Sequence, residues 1–94
     1  MQITHEDRGA KGTFTLRDGD NVAGEMNYTW AGETMFIIDS THVDEAYRGQ
    51  SVGKQLLEKV VAFARDKNVK IMPLCPFAKA SFDKDPSIHD VLKS

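Results

Sequence analysis

Cys75 is the only cysteine in the chain, and it is followed at once by Pro76 and the run Phe77-Ala78-Lys79-Ala80-Ser81-Phe82. Proline suits the first position of a helix, where its missing N–H would have had no partner. Cys75 therefore reads as a helix cap, with the helix dipole aimed at its sulfur, an arrangement that favours thiolate over thiol and hence a nucleophile. A lone cysteine also fits a small buried hydrophobe. His42 lies near the carboxyl end of an apolar strand, on the face expected to carry Phe36, Ile38 and Ser40. From there it is placed to act as a general base on a thiol or an amine, unless it is a core-edge histidine bonded to backbone. The third feature is the segment Asp44-Glu45-Ala46-Tyr47-Arg48-Gly49-Gln50-Ser51-Val52-Gly53-Lys54, whose small residues fall where a helix must begin. A helix start presents unpaired N–H groups and a positive dipole end, and so attracts a diphosphate. The spacing matches neither a P-loop nor the dinucleotide glycine fingerprint. By itself the segment also fits a turn of no chemical consequence.

The elements that would position these residues follow from the apolar period. Gly12 to Arg17 alternates Phe14 and Leu16 with polar residues, then Asp18-Gly19-Asp20-Asn21 turns the chain. The next strand sets Val22, Met26, Tyr28 and Trp30 on one face and Glu25, Asn27 and Thr29 on the other, which makes a hairpin. Met35 to Val43 is a third, central strand, and Ile3 to Arg8 offers a fourth to the meander. Val52 to Lys67 has helical period, with Val52, Gly53, Leu56, Leu57, Val60, Val61, Phe63 and Ala64 on one arc and a stop at Asn68. Val69 to Leu74 is then a strand, which a right-handed crossover lays parallel to Met35–Val43. Pro73 cannot donate to a ladder, so this strand either lies at an edge or diverges from its neighbour and leaves a cleft. Asp85-Pro86-Ser87 begins a short terminal helix, with Ile88, Val91 and Leu92 as packing residues. His5 and His89 fall outside every motif and are expected at the surface.

At 94 residues the chain suits one domain, 1–94, with its site on a single sheet or helix end. With 12 basic and 14 acidic residues, a net charge of -2 excludes a large basic field, so no nucleic-acid partner is expected. Lys67 and Lys70 read as part of a solvated face. One cysteine excludes an internal disulfide and a paired-cysteine zinc site, no metal is expected, and a reducing cytoplasm is the expected location. The amino terminus lacks a basic stretch followed by an apolar run, so no signal peptide is expected. The longest apolar run, Val60 to Ala64, is too short to cross a bilayer, and no membrane partner is expected.

Arg48-Gly49-Gln50-Ser51-Val52-Gly53 resembles the Arg/Gln-x-x-Gly-x-Gly/Ala signature of the GNAT acetyltransferases, with Ser51 in place of the first motif glycine. His42-Val43-Asp44-Glu45 and Lys70-Ile71-Met72-Pro73-Leu74-Cys75-Pro76-Phe77-Ala78-Lys79 extend the likeness, over essentially the whole chain, to the small YjdJ-type branch of that family. The resemblance implies a minimal α/β (α+β) fold: an antiparallel meander and a splayed parallel strand pair joined by a crossover helix, with short helices at the carboxyl end. It implies an N-acetyltransferase that uses acetyl-CoA and acts on a small-molecule or peptide amine. The backbone N–H groups from Gly49 to Gly53, including those of Gln50, Ser51 and Val52, would hold the coenzyme A diphosphate, with Arg48 or Lys54 as counter-charge. The pantetheine arm would run along Thr41, His42 and Val43 in the manner of an added strand. Ser51 would offer a hydroxyl to cap the helix or touch phosphate, while its side chain resists positive φ. Two routes are open, direct attack by the amine with His42 as base, or relay through Cys75. The rival readings are a coenzyme A-binding or acyl-sensing module with little turnover and an interaction domain that only keeps the fold. Such a protein is expected as a monomer or weak homodimer.

Overall fold

The computed structural model describes residues 1–93. Strands β1 (Gln2–Asp7), β2 (Lys11–Asp18), β3 (Asn21–Trp30) and β4 (Met35–Val43) pair in succession as an antiparallel meander, and β5 (Lys70–Pro73) adds parallel to β4. The crossover from β4 to β5 carries a 3-10 turn, Glu45–Tyr47, and helix α1 (Val52–Lys67). Helix α2 (Pro76–Lys84) and a 3-10 segment, Pro86–Val91, follow β5. This is the mixed α/β fold expected from the sequence, with Met35–Val43 and Val52–Lys67 at the same bounds. No helix among the described residues is long and apolar enough to cross a membrane.

One sheet face is apolar because Phe14, Leu16, Met26, Tyr28, Phe36 and Ile38 share it, and α1 buries Val52, Leu56, Leu57, Val60, Val61 and Ala64 against it. Each valine, leucine, isoleucine, methionine or phenylalanine among them contributes roughly 1.5–3 kcal/mol when removed from water. Asn68 ends α1 in the left-handed region, its N–H bonded to the Ala64 and Arg65 carbonyls. On the opposite face Thr13, Thr15, Glu25, Asn27 and Thr29 are half-buried, and Ser40 and His42 are exposed. No helix covers that side among the described residues.

Two bulges alter the faces read from the sequence. Ala23 is an extra residue opposite Leu16 and Arg17, so Val22 is turned out and is 40% exposed, not on the face of Met26 and Tyr28. Asp39 is an extra residue opposite Asn27 and Tyr28, which inverts the last four residues of β4.

His5 is exposed at the surface, as expected, but its ring has partners there. It pairs across the sheet with Phe14, and its ring stacks on Phe14 at 3.9 Å and meets the Phe63 ring edge-on at 4.6 Å. The Tyr28 hydroxyl donates to Asp7 at 2.9 Å, so its oxygen is left to accept from His5 Nε2 at 2.6 Å. Trp30 Nε1 and the Gly9 N–H also donate to Asp7. Burial lowers the His5 pKa, and the Trp30 and Gly9 hydrogen bonds lower that of Asp7. His89 is exposed, with Nε2 at 2.5 Å from the Phe82 carbonyl.

Asp85 caps the Pro86–Val91 segment by accepting from the Ser87 N–H, as the sequence suggested. Arg65 of α1 holds that segment with a two-pronged bond to Asp90, both contacts 2.9 Å, and a third to the Ser87 carbonyl. Val91 is buried, Leu92 bridges to Ile71, and the Lys93 N–H bonds to the Ile71 carbonyl at 2.9 Å. The expectation for Ser94 lies outside the described residues.

Candidate active site

Strand β5 stays with β4 only from Met35 opposite Lys70 to Ile38 opposite Pro73. The Leu74 and Cys75 N–H groups then both reach the Ile38 carbonyl at 3.2 Å, and the chain turns away into α2. Strand β4 continues to Val43 with β3 alone, so a gap opens beside residues 39–43. Pro73 sits at the end of the shared ladder, where its missing donor costs nothing. Glu25 pairs with His42, and the Asp44 N–H bonds to the Ala23 carbonyl. The alternation of an antiparallel ladder therefore turns the backbone groups of Thr41 and Val43 away from β3, toward the gap. The backbone of His42 faces β3 instead.

The turn into α1 is built from short local bonds. Asp44 accepts from the Ala46 N–H, the Tyr47 N–H reaches the Asp44 carbonyl, and the Gln50 N–H reaches the Tyr47 carbonyl at 3.3 Å. The N–H groups of Gly49, Ser51, Val52, Gly53 and Lys54 have no partner among the described residues. Gln50 thus drops out of the expected row of free donors. Gly49 has φ +85°, which glycine adopts without strain. Ser51 has φ 58° and ψ 33°, and its side chain makes no capping bond, so the hydroxyl does not serve the helix. Arg48 and Lys54 are exposed and form no ion pair among the described residues. Lys79, by contrast, pairs with Asp83 at 3.7 Å in solvent.

Two close approaches bring this turn to the gap. A Cβ on Gly24 would stand 2.6 Å from Val52 Cγ1 and 2.8 Å from the His42 carbonyl oxygen, so the bare backbone of β3 lets α1 start directly over β4. A Cβ on Gly53 would stand 2.6 Å from Phe77 Cζ, so α2 leans on the first turn of α1. Beyond Phe77 a groove of about 580 Å³ runs between α1 and the carboxyl-terminal elements, floored by Leu57, Val61 and Ile88 with Lys54 at its rim.

Cys75 caps α2 as its sequence position suggested, and its sulfur accepts from the Ala78 N–H at 3.4 Å. The thiol is buried, and Thr41 Oγ1 lies 3.2 Å from it. His42 is not the neighbour of Cys75. The Asp39 bulge places Thr41 on the helix-covered face with Phe36 and Ile38, and puts exposed His42 on the open face beside Glu25. The Thr41 contact has no sequence signal, because Asp39-Ser40-Thr41-His42 is polar throughout and a bulge leaves its period unmarked. The Ala78 contact is implied by the cap itself.

Unpaired N–H groups at a helix start, two adjacent unpaired cations and a vacated strand edge leading to a thiol together fit a diphosphate ester with an extended amide arm. Residues 13–91 match the family described as GCN5-related N-acetyl-transferase. The fold is similar to the NMR solution structure of a GCN5-like protein from Staphylococcus aureus, at 35% identity and a TM-score of 0.76, covering 99% of this chain and 88% of that one. It is also similar to the ribosomal-protein-alanine N-acetyltransferase of Brucella melitensis biovar Abortus 2308, at 18% identity and a TM-score of 0.70, covering 83% of this chain and 62% of that one. A GNAT family acetyltransferase from Elizabethkingia anophelis with acetyl-CoA bound shares 16% identity and a TM-score of 0.65, covering 80% of this chain and 52% of its own length. The last two share the fold alone, and this chain spans less than two thirds of each. No curated protein matches the sequence. The chain belongs to the GCN5-related N-acetyl-transferases, a family of acetyl-CoA-dependent enzymes.

Proposed function

We propose that this chain moves the acetyl group of acetyl-CoA to an amine by way of Cys75. The observation that carries the reading is the position of the sulfur: it lies at the end of the β4–β5 gap, between the Thr41 hydroxyl and the Ala78 N–H. The free N–H groups of Gly49 and Ser51 to Lys54 hold the diphosphate, with Arg48 and Lys54 supplying positive charge. Backbone groups of Thr41 and Val43 hold the pantetheine arm, and the groove behind Phe77 takes the adenosine end. Bound there, acetyl-CoA supplies an activated acyl carbon.

Cys75 Sγ attacks that carbon, the bond from it to the coenzyme sulfur breaks, and the coenzyme leaves as a thiol with the proton that Cys75 gave up. The amine then attacks acetyl-Cys75 from the uncovered sheet face. His42 takes the surplus proton from nitrogen and releases it to solvent, while the cysteine sulfur departs as a thiolate held by the Thr41 hydroxyl and the Ala78 N–H. The bulge at Asp39 supports this division, because it sets the thiol and the imidazole on opposite sides of one strand. A reducing compartment such as the cytoplasm keeps the thiol free.

The test is mass spectrometry of the protein after incubation with acetyl-CoA, followed by acetyl-CoA consumption with mixed amines, polyamines and peptides. An acetyl group on Cys75 that a later amine removes is the expected result. Full amine transfer by Cys75→Ala overturns the relay and leaves direct attack with His42 as base. Coenzyme binding with no turnover over the whole amine set identifies an acyl-sensing module instead.

A further inference from the structure

We infer that the hydrogen bond from Tyr47 to Asp18 holds the diphosphate turn in its binding shape, which makes Tyr47 and Asp18 positioning residues for coenzyme A; this rests on the reading of that turn given above. From Asp44 to Ser51 every residue is exposed except Tyr47, which is half-buried against the core. Past Tyr47 the turn holds itself by few bonds: the Arg48 and Gln50 N–H bonds are both 3.3 Å long, Gln55 Nε2 reaches the Gln50 carbonyl at 3.0 Å, and the positive φ angles of Gly49 and Ser51 lie between. Its backbone bond to the sheet is at its very start, from the Asp44 N–H to the Ala23 carbonyl. Tyr47 is thus the side chain that fastens the middle of the turn.

The Tyr47 hydroxyl donates at 2.9 Å to Asp18 Oδ2, at the last residue of β2. That bond raises the phenol pKa, so the donor keeps its proton throughout the neutral range. A turn already fixed loses less freedom when it closes its N–H groups on a ligand, so the bond acts through the ordering cost of binding. Removing the hydroxyl leaves ring packing intact and frees the segment that presents the donors.

The experiment is calorimetric titration of coenzyme A into the full chain and its Tyr47→Phe, Asp18→Ala, Asp18→Asn and Tyr47→Phe/Asp18→Ala variants, with thermal midpoints recorded for each. Loss of this one solvent-exposed hydrogen bond weakens binding by about fivefold to tenfold in Tyr47→Phe and in Asp18→Ala. The double variant is no weaker than either single one, since both remove the same bond. Asp18→Asn keeps an acceptor oxygen and stays within about twofold of the unaltered protein. In acetyl-CoA turnover the same variants raise KM and leave kcat unchanged. Unaltered affinity in Tyr47→Phe, or single effects that multiply in the double variant, overturns this inference while the functional reading stands. If the unaltered protein takes up no coenzyme A, both fall together.

Discussion

Replacing Ser51 by glycine removes a strain that the fold carries at the start of α1. Ser51 holds φ 58° and ψ 33°, the left-handed region, and its hydroxyl makes no capping bond that would offset the cost. A residue with a Cβ loses about 1–2 kcal/mol there relative to glycine. Against this gain, glycine adds freedom to the unfolded chain worth about 0.4–1 kcal/mol. The difference leaves Ser51→Gly more stable by about 0.5–1 kcal/mol, which for a domain of this size is a rise of roughly 3–6 °C in Tm. Thermal unfolding followed by circular dichroism measures it. Two controls isolate the cause. Ser51→Ala keeps the Cβ and gains nothing, and Asn68→Gly gains less, because Asn68 occupies the same region at φ 57° with a residue type that tolerates it. A Ser51→Gly protein no more stable than Ser51→Ala refutes the reasoning, since no lost side-chain bond is available to hide the gain.

The two crowded glycines should respond differently to alanine. Gly24→Ala drives a Cβ against Val52 and the carbonyl oxygen of His42, so backbone must move, at a cost of about 2–3 kcal/mol in denaturant melts. Gly53→Ala meets only the tip of the Phe77 ring, which has solvent to swing into, and alanine's better helix propensity of about 1 kcal/mol offsets the shift. A larger loss for Gly53→Ala than for Gly24→Ala contradicts the packing described. The lowered pKa values of His5 and Asp7 each contribute stability that is complete above the unfolded value and lost as pH falls through the folded one. Tm should therefore decline as pH drops below the ordinary histidine value of 6.5, and again below the aspartate value of 3.8. His5→Gln flattens the first decline and keeps the second; a Tm that rises between about pH 7 and about pH 5 rules this out.

The helix from Val52 to Lys67 was legible because its apolar residues keep one helical period over many positions, and β4 because Met35-Phe36-Ile37-Ile38 is the dense apolar run of a central strand. Cys75 as a cap was legible because Pro76 marks the first helical residue. What escaped reading depends on one inserted residue. Ala23 and Asp39 each add a step to one strand, and every side chain beyond them changes face, including Val22 and His42. Neither residue is a glycine or proline that would mark the spot. The end of β4 is polar on both sides, so no apolar residue there announces which face is inward. His5 was read rightly as a surface residue, but a single polar ring on an edge strand gives no hint that it will stack on Phe14 and meet Phe63 edge-on.

The bridge from Leu92 to Ile71 and the bond from the Lys93 N–H close the outer side of β5 with only the last residues described. A sheet has two borders, and the other one, β1, bears Glu6, Asp7 and Arg8 at its end as charges that discourage a stranger's backbone from zipping on. The β5 border has Ile71, Met72 and Pro73, with little charge of its own. Removing the Leu92 bridge and the Lys93 bond would therefore bare an apolar border on the strand that leads to the thiol, so residues 92 and 93 act as its hem.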